Sequence, residues 1–236
     1  MEIKISLSPA QLPKIAAALA STSLLFLIIA TATTGWKVWS VTISEGGPHF
    51  KIQEHAGLFH KCIDDGGDSF CLSTINTTVA DSVRYAPYCS NTLGDLNSRY
   101  RASQGFAVLA ILTCIGGAAI AILSALGKGQ RMIYLGGVVL LGASAFCSMV
   151  CFAVFAGTID TWYGCGFSYC DLLHEEWGRR GGCPTCGHGY SFGLMVFAWF
   201  LTIFSAISLG LVSRSVSGKT VDDGGINSGG YHGIPD

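Results

Sequence analysis

The chain has 236 residues, half of them hydrophobic and only 12% charged, with a formal net charge of −1. That balance supplies no basic field to hold nucleic acid, and there is no basic amphipathic stretch, so nucleic-acid partners are excluded. So apolar a composition also argues against an ordinary soluble domain.

A bilayer core about 30 Å thick needs roughly 20 apolar residues per spanning helix. Residues 1–14 form a short amino-terminal segment, and Pro13 suits the first turn of a helix. The run Ile15–Thr33 predicts a first span over 15–35. A long loop, 36–104, follows. Gly105–Leu126 predicts a second span, and only residues 127–131 separate it from the third, 132–157. A second long loop covers 158–189, a fourth span covers 190–213, and the Gly- and Ser-rich tail 214–236 reads as disordered. None of the four apolar runs contains Asp, Glu, Lys, Arg or His. Ion-coupled transporters and pumps need ionisable groups inside the span, so that class is disfavoured.

Within the spans, small residues recur at helical spacing. Gly117, Ala121 and Ala125 form one stripe, and Ala16 and Ala20 another; Gly136, Gly137, Gly142, Ala143 and Ser144 line the third run. Lipid removes the hydrophobic force between helices, so close backbone approach must hold a bundle together. The stripes are read as packing within the chain, with a dimer face as the sharper alternative.

The short loop carries Lys128 and Arg131 and no acid, which places it on the cytoplasmic side. Both termini then lie in the cytoplasm and both long loops outside. Asn76-Thr77-Thr78 is a glycosylation acceptor only in that orientation. Ala30-Thr31-Ala32 resembles a signal-peptidase site, but the region before it is long for a signal peptide, and the first span is read as retained.

Ten cysteines divide unevenly. Cys114, Cys147 and Cys151 lie in apolar runs and read as small packing residues. Cys62, Cys71 and Cys89 lie in the first long loop, and Cys165, Cys170, Cys183 and Cys186 in the second. Clustering of this kind suits disulfides in an oxidising compartment. Seven loop cysteines cannot all pair within the chain. One is left free, palmitoylated near the membrane, or bonded to a partner, and Cys89 could pair across the loops.

The first long loop carries the most information. Trp39-Ser-Val-Thr-Ile43 alternates apolar and polar residues and predicts a strand, and Phe50-Lys-Ile52 repeats the pattern. Gly57-Leu58-Phe59 leads to Cys62, and Phe70 to Cys71. Asp64-Asp65-Gly66-Gly67-Asp68 between the cysteines is a turn signal. Two strands joined by such a turn and pinned by one disulfide make a sound physical unit. The loop so closed is short, and the chain-entropy model assigns it roughly 2.5–3 kcal/mol.

The order Trp39, Gly57-Leu58-Phe59, Cys62, Cys71, with Arg101 at the start of the second span, resembles the first-loop signature of the claudin superfamily. That superfamily includes claudins, peripheral myelin and epithelial membrane proteins, and calcium-channel gamma subunits. The likeness covers about residues 13–212 and extends to the order of long, very short and intermediate loops. The chain departs in having Phe59 where the family usually has Trp, four cysteines in the second loop, and a tail ending Gly-Ile-Pro-Asp. The resemblance implies an all-α membrane fold: a left-handed four-transmembrane helix bundle capped by a small extracellular antiparallel β-sheet. Most of that sheet would come from the first loop and one strand from the second, with a structural Cys62–Cys71 bond. The implied function is non-enzymatic: cell–cell contact, a paracellular barrier or membrane organisation at the plasma membrane. The implied partners are the lipid bilayer, copies of itself or related four-helix proteins in cis or trans, or a pore-forming channel subunit that it regulates.

Other constellations are weaker. Asp64, Asp65 and Asp68 could draw cations to a pore mouth, although first-loop charge is nearly balanced, six basic residues against seven acidic. His49, His55 and His60 fit no zinc-ligand spacing. Cys165-x4-Cys170 and Cys183-Pro-Thr-Cys186 with His188 look like zinc half-sites, but outside the cell disulfides are the better reading. No metal or cofactor is expected. Cys183-x-x-Cys186 beside the last span also looks somewhat like relatives of vitamin K epoxide reductase. There Cys183 and Cys186 would exchange disulfides and Cys62 and Cys71 would relay electrons. Trp39 and Gly57-Leu58-Phe59 have no role in that reading.

Overall fold

The computed structural model describes residues 11–43, 50–64, 69–73, 93–127, 131–160, 174 and 185–222. Four long helices dominate: α1 (Leu12–Ala32), α2 (Leu93–Ala125), α3 (Arg131–Asp160) and α4 (Tyr190–Asp222). All four are long and apolar enough to cross a membrane. Pro13 sits in the first turn of α1, where its missing N–H costs nothing. Two boundaries differ from the sequence reading. Helix α2 begins at Leu93, inside the segment read as loop, because Asp95, Arg99 and Arg101 mask its polar first turns. Helix α4 continues past Ser213 to Asp222, into the segment read as a disordered tail.

The helices run up, down, up, down, and each packs on its chain neighbours, with α4 closing the ring on α1. Small residues make the contacts. A Cβ on Gly117 would lie 2.6 Å from Leu141 Cγ, and one on Gly137 would lie 2.5 Å from Leu209 Cδ2 and 2.7 Å from Ile120 Cγ2. The interfaces α2–α3 and α3–α4 therefore depend on glycine for backbone approach. Ala16 and Ala20 are fully buried with Ala121, Leu141 and Leu209 in one core cluster. Ala16, Ala20, Gly117, Ala121 and Gly137 of the predicted stripes thus pack within the chain, whereas Gly142 is exposed.

Hydroxyls tie the helices together. Ser23 Oγ donates to the Ala198 carbonyl at 2.8 Å and shares a 2.6 Å hydrogen bond with Thr202 Oγ1. Ser205 Oγ donates to the Ala16 carbonyl, and Ser144 Oγ to the Ala110 carbonyl, both at 2.8 Å. The surface is the reverse of a soluble protein's. Leu112, Val139, Phe146, Phe200, Phe204 and Ile207 face outward, whereas Ser23, Ser103, Ser144, Ser148, Thr202 and Ser205 are buried.

Five strands form one antiparallel sheet: β1 (Lys37–Ile43), β2 (Phe50–Ala56), β3 (His60–Asp64), β4 (Ser69–Ser73) and β5 (Thr185–His188). Their order is β4-β3-β2-β1-β5. Four strands come from the segment between α1 and α2, and β5 comes from the segment between α3 and α4. Chain order puts the sheet at the bundle end where α1 and α3 finish and α2 and α4 begin.

Candidate functional site

The sheet is joined to the bundle through the turn between β2 and β3. Gly57 is needed there for close approach: a Cβ would meet the Thr33 carbonyl oxygen and lie 2.7 Å from Thr34 Cα. Its N–H donates to the His60 carbonyl at 2.8 Å and closes the turn. Leu58 is fully buried between the helices, in a cluster with Trp36, Phe155 and Met195. Helix α2 holds the turn by its backbone. The Tyr100 hydroxyl donates to the Gly57 carbonyl, and Gln104 Nε2 donates to the Leu58 carbonyl at 2.6 Å.

Trp36 is the second fixed point. It is fully buried, and its Nε1 donates to the Ala30 carbonyl at 2.5 Å, across the end of α1. Its ring meets Phe155 of α3 edge-on at 4.8 Å and Phe192 of α4 at 6.0 Å, geometries favoured by aromatic quadrupoles. Its backbone N–H donates to the Ala56 carbonyl, and its carbonyl accepts from the Gly189 N–H at 3.0 Å. Ser191 N donates to the Gly35 carbonyl at 2.9 Å, and Thr33 Oγ1 shares a 2.6 Å hydrogen bond with Ser191 Oγ. Residues 33–36 and 189–191 are therefore stitched together where both loops enter the sheet.

Pairing register sorts the sheet into two faces. Lys37, Trp39, Val41, Ile52, Glu54, Lys61 and Ile63 share one; Ser40, Thr42, Lys51, Gln53, His55, Cys62, Asp64 and Cys71 share the other. On the first, Lys61 Nζ lies 2.9 Å from Glu54 Oε1, and Glu54 is only 7% exposed. Lys37 is buried too, at 4%. Burial removes part of each ion's hydration, which offsets much of what this pair contributes to stability. Trp39 stands opposite Glu54 on one side and Cys186 on the other, and its buried Nε1 has no hydrogen-bond partner among the described residues.

Of the residues singled out in the sequence, Gly57, Leu58 and Phe59 meet at the junction, and Trp39 stands on β1 beside it. Arg101 does not join them. It is exposed on α2, because the helix face that turns inward there carries Tyr100, Ser103 and Gln104. Cys62 and Cys71 form a disulfide between directly paired positions of β3 and β4. Cys186 on β5 is also disulfide-bonded. Cys89, Cys165, Cys170 and Cys183 lie outside the described residues, as do Asn76, Asp65, Asp68 and His49. Asp64 ends β3 and is exposed. Among the described residues, no three His, Cys, Asp or Glu side chains gather in a group able to hold a metal ion.

Sequence reasoning passed over Trp36, Tyr100 and Gln104, which do most of the joining. Trp36 gave one signal: an aromatic residue directly after an apolar run, where Trp concentrates at an interface. Tyr100 and Gln104 gave another, their spacing of four, which puts both on one helix face. No protein-family model matches the chain, and no curated protein matches it.

Proposed function

We propose that the chain is a claudin-like, multi-pass protein of the plasma membrane that presents its sheet outside the cell, for contact with a neighbouring cell or organisation of the membrane. One observation carries this reading. A sheet built from both long inter-helix segments, with a paired-strand disulfide, is seated on one end of a four-helix bundle through Gly57 and Leu58. The arrangement makes the sheet a rigid platform rather than a floppy loop, as a recognition surface requires. The apolar outward helix faces and hydroxyl-lined interior support a bilayer environment. Lys128 and Arg131 in the short connection support a cytoplasmic location for the opposite end and for both termini.

The test is location in a confluent cell layer. Labelled protein concentrated as a line where two expressing cells meet, with antibody access to a tag in the sheet-bearing loops of unpermeabilised cells, supports the reading. Uniform surface distribution together with co-purification of a pore-forming subunit replaces it with channel regulation. Retention inside the cell with thiol-oxidising activity dependent on Cys183 and Cys186 replaces it with a redox enzyme.

A further inference from the structure

We infer that the bundle end opposite the sheet is a docking surface for the headgroups of anionic phospholipids, an inference that rests on the bilayer reading above. Leu12 of α1, Tyr134 of α3 and Val212 of α4 pack into one cluster at this end. Lys14 follows Leu12 by two residues, Arg131 precedes Tyr134 by three, and Arg214 follows Val212 by two. Three helices thus bring one cation each to this end, each within a turn of a residue of the cluster. All three side chains are exposed.

Among the described residues, charge at this end is one-sided. Among the described residues none of the three cations meets a carboxylate, whereas Lys61 at the other end pairs with Glu54. The first turns of α1 and α3 contain no acid. Helix α4 carries its next acid at its last residue, Asp222, about 12 Å beyond Arg214. Lys14 and Arg131 also stand against a local rule. Each lies in the first turn of its helix, where the helix dipole favours anions and opposes cations. A negatively charged surface facing these turns removes that opposition, answering to the cations and to the positive ends of both helix dipoles. The three cations stand at the ends of the apolar spans, which in the bilayer reading is the level of the lipid phosphates. Anionic lipid attracts each Lys or Arg near a membrane surface by an amount equal to about five-fold in affinity.

The test uses the full chain in phosphatidylcholine bilayers with trace spin-labelled phosphatidylserine or spin-labelled phosphatidylcholine. The lipid shell immobilised by the protein should enrich the serine probe over the choline probe by roughly five-fold or more. Salt should weaken the enrichment. K14Q/R131Q/R214Q should bring the two probes to parity, and K14R/R131K/R214K, which keeps the charge, should retain the preference. Equal probes with the native chain, or an unchanged preference in the glutamine variant, overturn the inference; the cations would then act only in setting orientation during insertion. A native chain that fails to enter phosphatidylcholine bilayers overturns the bilayer reading as well. One that enters without preference overturns this inference alone.

Discussion

The hydroxyl of Tyr100, in the first turns of α2, donates to the carbonyl of Gly57, a separation of 43 residues. With Gln104 and the buried Leu58 it fastens the β2–β3 turn to the bundle from one helix face. Tyr100→Phe removes one donor and leaves the ring in place, so the Gly57 carbonyl loses its side-chain partner. A loss of about 1 kcal/mol is expected. Gly57→Ala is expected to cost more, because the added methyl meets the Thr33 and Thr34 backbone. Thermal unfolding in detergent checks both. A Gly57→Ala midpoint equal to that of the native chain would show that the turn is not held as described.

Trp36 and Trp39 are three residues apart and should respond differently. Trp36 fills the junction and its Nε1 has a partner; the buried Nε1 of Trp39 has none among the described residues. Trp36→Ala should destabilise by about 3 kcal/mol or more, as large-to-small changes in packed cores do. Trp39→Phe keeps an aromatic ring at a half-buried position and gives up no hydrogen bond to the described residues, so it should cost less, about 1 kcal/mol. Intrinsic fluorescence of the two single variants during denaturation reports stability and identifies each indole. A larger loss for Trp39→Phe than for Trp36→Ala would reverse the assignment.

Glycines in the spans divide by surroundings. A side chain at Gly117 collides with Leu141, whereas Gly142 opens to space free of atoms within 4 Å. Gly117→Leu should separate α2 from α3 and lower the yield of monodisperse protein several-fold. Gly142→Leu should leave the yield unchanged. Size-exclusion profiles after detergent extraction decide. Loss of a distinct oligomer with Gly142→Leu alone would identify that helix face as an interface between copies.

The four helices were legible because each needs only a long uncharged run, and composition reports that without any knowledge of partners. The alternation in Trp39–Ile43 and the turn residues after Asp64 marked the sheet for the same reason: both are local patterns. What escaped was long-range. Nothing near Tyr100 announces Gly57, and a signature-like Trp at 39 drew attention from Trp36, which packs more deeply. Arg101 matches the Arg of the family pattern at the entrance to the second span, yet it lies on the exposed face of α2. Buried Ser23, Thr202 and Ser205 are unremarkable as single residues. Their hydrogen bonds across α1 and α4 emerge only once those helices, distant in sequence, are side by side.

The place of β5 beside β1 also has a consequence in time. Ser40 and Thr185, hydrogen-bonded across these strands, are 145 residues apart. At a synthesis rate of about 5–20 residues per second, roughly 7–30 seconds pass between the making of one strand and of its neighbour. During that interval β1 lacks its second neighbour, and the Gly35 and Trp36 carbonyls wait for the N–H groups of Ser191 and Gly189. An incomplete sheet with an open edge invites pairing with the wrong chain. In order of synthesis, β5 and the first turn of α4 therefore complete the sheet last, and a chain halted before residue 185 would lack the strand that covers that edge.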